Sequence, residues 1–231
     1  MDRLVIILLL SINYGTLRKE MVETQIRARG VVNEGVLQAM LTVKRHLFVP
    51  IAYRPFAYED HPLPIGYDQT ISQPYIVALM TELIEPDTTD KILEIGTGSG
   101  YQAAVLSLLS DSVFTIEIIP ELARSAEKRL KDLGYLNVQV KTGDGFLGWP
   151  EHSPFDKIIL TCSPPKIPKP LIEQLKEGGI MVLPLGTEEQ YLLKIVKKKG
   201  WLKSDTIAPV RFVPMKGKVW EEEEKIKTED R

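Results

Sequence analysis

Between Lys91 and Leu185 short apolar runs alternate with longer amphipathic stretches. The runs KILEI (91–95), VFTIEI (113–118), NVQVK (137–141), KIILT (157–161) and IMVLPL (180–185) have the length and composition of strands. Helices fit between them at 99–109, 120–133 and 168–176, with Pro120 opening the second and Gly134 stopping it. Continuously apolar strands joined by helices imply a parallel sheet covered on both faces. Two more runs, 190–197 and 206–213, leave no room for a helix between them and predict an antiparallel edge. The pattern predicts an α/β fold, a doubly wound, mostly parallel seven-stranded sheet.

Ahead of this core the pattern is helical and irregular. Residues 17–29 read as a helix with Met21 and Ile26 on its apolar side and Gly30 as its stop. Asn33 can cap a second helix over 34–44. A stretch broken by Pro50, Pro55, Pro62, Pro64 and Gly66 is rich in aromatics and predicts an ordered, packed loop. Ser72 or Gln73 can begin a third helix that runs to about Leu83. This divides the chain into an N-terminal helical and loop elaboration (1–85), the alternating strand–helix core (86–220) and a charged tail (221–231), integrated as one domain. The tail is expected to be frayed.

Composition narrows the picture. The chain has 231 residues, 44% of them apolar and 26% charged, as in an ordinary globular protein. The net charge is -2, which argues against a binder of polyanions by bulk charge. The tail holds six acids and three bases, so the remaining 220 residues carry 26 bases against 25 acids and are almost neutral. The one cysteine, Cys162, excludes an internal disulfide and fits the reducing cytoplasm. The longest apolar run, Leu4 to Leu10, is far shorter than a membrane span of about 20 residues. It also lacks the net basic start and small-residue cleavage site of a secretory signal. It reads as a buried strand or helix, or as an over-extended start upstream of Met21. Asparagine occurs only three times and never before glycine, a bias in the direction of heat-adapted proteins.

The chemistry concentrates in Glu94-Ile95-Gly96-Thr97-Gly98-Ser99-Gly100, which follows a strand and opens a helix. Glycines there let the backbone turn sharply and approach a ligand. A dinucleotide fingerprint places its third glycine five residues after the first; here the interval is four. The E-x-G-x-G-x-G form resembles motif I of class I S-adenosylmethionine-dependent methyltransferases. A tight strand–helix turn and a nucleotide oxidoreductase are the alternatives. Glu117 ends the next strand, 21 residues after Gly96, where a carboxylate can accept both ribose hydroxyls. Asp144-Gly145 follows the third strand, where such enzymes set an acid near the adenine amine; a plain Asp-Gly turn is the other reading. With Ile118 these residues make the expected cofactor set: Glu94, Gly96, Thr97, Gly98, Ser99, Gly100, Glu117, Ile118, Asp144 and Gly145.

Other signatures are missing. No G-K-[S/T] follows the loop, which excludes a P-loop. Ser163-Pro164-Pro165 is followed by Lys166 where adenine-N6 enzymes carry an aromatic. Cys162 does not follow a proline, as the nucleophile of cytosine-C5 enzymes does, and reads as a core or site-edge thiol. His46, His61 and His152 have no metal-ligand spacing, so no metal is expected.

Residues 21–215 resemble the protein-L-isoaspartate (D-aspartate) O-methyltransferase family. The matching blocks are RHLFVP (45–50), AYED (57–60), PLPIGY (62–67), QTISQP (69–74), KILEIGTGSGYQAAVL (91–106), FDKIILT (155–161), LKEGGIMVLPLG (175–186) and RFVP (211–214). The resemblance implies a Rossmann-like methyltransferase fold. It also implies transfer of a methyl group from S-adenosyl-L-methionine, leaving S-adenosyl-L-homocysteine, to the free α-carboxylate of isoaspartyl residues. The ester then closes to a succinimide and part of it returns to normal aspartate. The family pattern places Ser72 at the acceptor as the catalytic residue. Thr70, Ile71 and Val213 line the substrate slot, and Arg211 reads as a solvated neighbour. Ser72 as a helix cap is the competing reading. Asp68 stands where the family often has glycine, and Met215-Lys216-Gly217 departs from its pattern. The implied partners are isoaspartyl proteins and peptides, met by a monomer, with no nucleic acid and no membrane. A nucleic-acid or small-molecule methyltransferase on this scaffold, and a non-enzymatic cofactor sensor, are the rival functions.

Overall fold

The computed structural model describes residues 12–199 and 201–221; the expectations for the apolar run 4–10 and for the tail from 222 onward lie outside them. The N-terminal helix begins earlier than the pattern suggests. α1 (Tyr14–Glu20) runs on through a π turn, Met21–Ile26, and a 3₁₀ turn, Arg27–Arg29. The five-residue step from Met21 to Ile26 suits the wider π pitch and buries both completely. Gly30 ends the helix in the left-handed region, at φ 95°. α2 (Glu34–Thr42) is capped as expected, its Val36 amide donating to the Asn33 side chain at 3.1 Å.

The proline-rich stretch is not simply a loop. It contains the hairpin β1 (Leu63–Gly66) and β2 (Gln69–Ile71), turned by Tyr67 and Asp68, both left-handed at φ 56° and 57°. Two-residue hairpin turns favour this geometry, and aspartate tolerates it better than most residues. That accounts for Asp68 in place of glycine. The Gln69 side chain donates to the carbonyls of Tyr67 and Asp68 and ties the turn together. α3 (Pro74–Leu83) follows, with proline in its first turn.

The core then alternates: β3 (Lys91–Ile95), α4 (Tyr101–Ser107), β4 (Ser112–Glu117), α5 (Pro120–Asp132), β5 (Val138–Thr142), β6 (Phe155–Leu160), α6 (Lys169–Gln174), β7 (Leu175–Leu185), β8 (Gln190–Lys198) and β9 (Trp201–Val210). Sheet order is β5-β4-β3-β6-β7-β8-β9, parallel through β7 and antiparallel thereafter. Successive residues along each strand face opposite sides. Ile92, Val113, Ile159 and Val182 join the core shared with α4 and the N-terminal layer. Leu93, Phe114, Ile158 and Met181 join the other, with Leu171 of α6 and Met215.

The last strand lies earlier than 206–213. Residues Trp201–Ile207 are exposed on both faces, so no apolar face marks the strand's start. Leu192 pairs with Ala208 and Leu193 with Thr206, which leaves Ile207 bulged. The bulge, Lys203 and Pro209 are features that keep an exposed edge from pairing with another chain. RFVP therefore lies beyond the strand. Its main chain is fastened by the Gln190 side chain, which accepts the Phe212 amide at 2.6 Å and donates to the Phe212 carbonyl at 3.1 Å.

Candidate active site

The strand order reverses between β3 and β6, and their carboxyl ends open a crevice, as parallel sheets do at such a switch point. Two adjoining cavities, about 550 and 320 Å³, fill it, and Thr70, Gly96, Gly98 and Thr161 border both.

The glycine loop forms the floor between them. Gly96 has φ 99°, and a β-carbon there would come 2.4 Å from the Thr161 hydroxyl, so only glycine fits. That hydroxyl is within 2.7 Å of the Gly96 carbonyl and 3.1 Å of the Ile95 carbonyl. The Gly98 amide donates to Glu117 Oε2 at 2.8 Å, and the Ile119 amide to Glu117 Oε1 at 3.0 Å. Each carboxylate oxygen thus holds one main-chain amide and keeps a lone pair for a ligand. Glu117 and Ile118 line the first cavity. Gly100 lines neither; its left-handed turn faces α5, where a β-carbon would meet Leu130 at 3.1 Å.

Glu94 is fully buried and lines the second cavity with Thr97 and Ser99. Its Oε2 accepts the Thr115 hydroxyl at 2.5 Å, while Oε1 has no hydrogen-bond partner. Burial pushes its carboxyl up to about 8; the Thr115 hydrogen bond opposes that and nearby Glu117 reinforces it. Once ionised, a buried carboxylate with an empty oxygen at a cavity wall calls for a cationic ligand.

The acceptor-side residues come together at the same place. β2 and the turn into α3 bring Thr70, Ile71 and Ser72 to the second cavity. Gln73, not Ser72, is the cap residue of α3, and it makes no side-chain cap bond. The half-buried Ser72 hydroxyl is therefore not used as a cap. Val213 lines the first cavity, fastened across the sheet end where the Ser163 amide donates to its carbonyl at 2.9 Å. Arg211 is exposed. Over the loop lies the hairpin: a β-carbon on Gly98 would come 3.3 Å from the end of Ile65.

Asp144 is the outlier. Its carboxylate accepts the Phe146 amide at 3.0 Å and the Lys218 amide at 2.8 Å, and it borders neither cavity. Gly145 does border the first, packed so closely that a β-carbon would come 2.3 Å from Ile95. Cys162 lines the first cavity with its thiol pushed up to about 12 by burial, helped by Glu117 and Asp144. It stays a neutral thiol there.

Several lining residues escaped the sequence reading. Thr161 closes the run KIILT (157–161) and carries no chemical signal of its own. Gln102 lies inside a helix, and only the fold reveals its setting. Its amide donates to Thr81 at 2.8 Å, and Thr81 in turn donates to the Val77 carbonyl at 2.7 Å. That pair fixes the Gln102 amide at the second cavity. Met215 and Lys216 line the first.

Comparison with known proteins agrees with this geometry. The chain is 55% identical over 201 residues to a protein-L-isoaspartate O-methyltransferase of Dictyoglomus turgidum, covering 87% of this chain and 91% of that one. It is 52% identical over 197 residues to one of Gloeobacter violaceus, covering 84% and 96%. A solved protein-L-isoaspartate O-methyltransferase superposes with a TM-score of 0.81 at 30% identity, over 90% of this chain and 70% of that chain. A Plasmodium falciparum protein, presented as a candidate member and solved with S-adenosyl-L-homocysteine, shares the fold at a TM-score of 0.74 and 24% identity, over 86% and 98% of the two chains. The family model for protein-L-isoaspartate (D-aspartate) O-methyltransferase matches residues 16–220, from the first helix to the segment that closes the sheet end. With the glycine loop, the acid after the second core strand and the TIS wall meeting in one crevice, the chain belongs to the protein-L-isoaspartate (D-aspartate) O-methyltransferase family.

Proposed function

We infer that this protein methylates the free α-carboxylate of L-isoaspartyl residues in damaged proteins, using S-adenosyl-L-methionine, and so starts their repair through a succinimide. The observation that carries the reading is the meeting of Thr70, Ile71 and Ser72 with the glycine loop and buried Glu94 around one cavity.

The residues suit the cofactor. Glu117 offers two carboxylate oxygens to a pair of ribose hydroxyls, and Ile118 and Gly145 give that end a flat apolar border. Glu94, Thr97 and Ser99 make an acceptor-rich wall for the positively charged methionine end. Gly96 and Gly98 keep the floor free of side chains, while Gly100 shapes the loop from behind. Asp144 acts by holding Gly145 and the 217–218 turn in place. S-adenosyl-L-methionine, when bound, supplies an activated methyl group.

The chain's own work is then positioning. An acceptor carboxylate with a pKa near 4 is already ionised at neutral pH and needs no general base. The Ser72 hydroxyl orients it by donating a hydrogen bond; Thr70, Ile71 and the main chain at Val213 hold the kinked backbone. Aligning two reactants away from water can supply about 7–11 kcal/mol of the barrier. The almost neutral folded body suits an enzyme that reads a local kink on many clients.

The same reading extends to D-aspartyl residues, which the family name includes. It also extends to a monomer acting in the cytoplasm, supported by a single thiol and by the blunted sheet edge. Among the described residues no helix is long and apolar enough to cross a membrane. The scarcity of asparagine supports adaptation to heat. The deciding experiment offers labelled S-adenosyl-L-methionine with an isoaspartyl peptide and its normal aspartyl twin. Label is expected in the first alone, and equal labelling overturns the reading.

A further inference from the structure

Glu94 lies between β4 and β6, opposite Thr115 on one side and Ile159 on the other. Of these two strand neighbours only Thr115 carries a polar side chain. Its hydroxyl is 2.5 Å from Glu94 Oε2 and 2.6 Å from the Thr97 hydroxyl, and all three side chains are buried. A threonine hydroxyl has one proton to give. Once Glu94 ionises beside a cationic ligand, its carboxylate only accepts, so that proton goes to Glu94 and Thr97 must donate to Thr115. In that ionised state the relay runs one way, from the glycine loop through β4 to the carboxylate. It leaves Glu94 Oε1 without a partner and the Thr97 oxygen free to accept at the cavity.

We propose that Thr115, which borders neither cavity, is a positioning residue for the methyl donor. It holds Glu94 by one oxygen so that the other faces the donor's cationic end, and it ties Thr97 of the glycine loop to the same carboxylate. The inference rests on the reading of the crevice as the cofactor seat.

The surroundings of Glu94 leave this role to Thr115. From β4 the charged group acting on Glu94 is Glu117, which raises its pKa, as burial does. From α4 comes Tyr101, held neutral by burial, and from the end of β6 and the turn before α3 come the uncharged Thr161 and Ser72. The Thr115 hydrogen bond is what favours the ionised carboxylate.

The test measures the dissociation constant of S-adenosyl-L-homocysteine by calorimetry on the full chain from about pH 6 to pH 9, with steady-state kinetics on an isoaspartyl peptide. Wild-type affinity is expected to tighten as the pH rises toward about 8 and then level off. Thr115→Val should bind about tenfold more weakly at neutral pH. Its tightening should move to higher pH, and its cofactor KM should rise more than its kcat falls. Thr115→Ser should restore all three, and Thr115→Ala serves in place of the valine variant should that one fail to fold. Sloping profiles that superimpose for wild type and Thr115→Val overturn the proposal alone. A flat wild-type profile overturns it together with the place of Glu94 in the cofactor seat.

Discussion

Glu117, at the end of one strand, receives the amide of Gly98, in the loop after the neighbouring strand, at 2.8 Å. One carboxylate therefore does two things: it fixes the glycine loop and presents oxygen to the cavity. Glu117→Ala removes both. Affinity for S-adenosyl-L-homocysteine should fall by about tenfold to a hundredfold, the scale of charge-assisted hydrogen bonds. The far-ultraviolet circular dichroism should stay unchanged. Unaltered affinity in a calorimetric titration would remove Glu117 from the cofactor seat.

Ser72 borders the second cavity and does not cap α3. Ser72→Ala is expected to lower kcat by about tenfold or more, as loss of one positioned donor does. Cofactor affinity should be unchanged. Full activity in the alanine variant would take Ser72 off the acceptor.

Glu94 carries a pH signature of its own. Its carboxyl is held near 8 in the folded protein, above the ordinary carboxyl value. Between those two values the unfolded chain has released a proton that the folded chain keeps. Without ligand, stability therefore falls as the pH rises through that window, by up to about 1.4 kcal/mol per pH unit. Glu94→Gln should remove this slope, melt higher than wild type at pH 8, and lose cofactor binding. Parallel stability-against-pH curves for the two proteins would contradict this.

The hairpin turn holds two non-glycine residues in the left-handed region, Tyr67 and Asp68. Replacing them together, Tyr67→Asn with Asp68→Gly, supplies the pair such turns prefer. The free protein should gain about 1 kcal/mol in denaturant unfolding. A loss of stability would mean that the Tyr67 ring makes up for its own backbone strain.

Much of this was legible in the chain and some was not, for physical reasons. β3, β4 and β6 are buried on both faces, so their apolar runs stand out; Glu94 and Glu117 are conspicuous as acids near the ends of such runs, in register with the glycines. β9 went astray because its first residues face solvent on both sides. The hairpin was hidden because Tyr67-Asp68 lacks the glycine or asparagine that marks such turns. Asp144 follows β5, as the pattern suggests, yet its aim depends on the Lys218 amide, 74 residues away along the chain. Thr115 looked like any strand threonine until the strand register set it opposite Glu94.

Ile65 rests on Gly98, and the same hairpin carries Thr70 into the walls of both cavities. If the crevice seats donor and peptide as proposed, the cover of the one and the bed of the other are a single piece of chain. On the reading advanced above, a change in this one hairpin is therefore felt at the methyl donor and at the damaged peptide together.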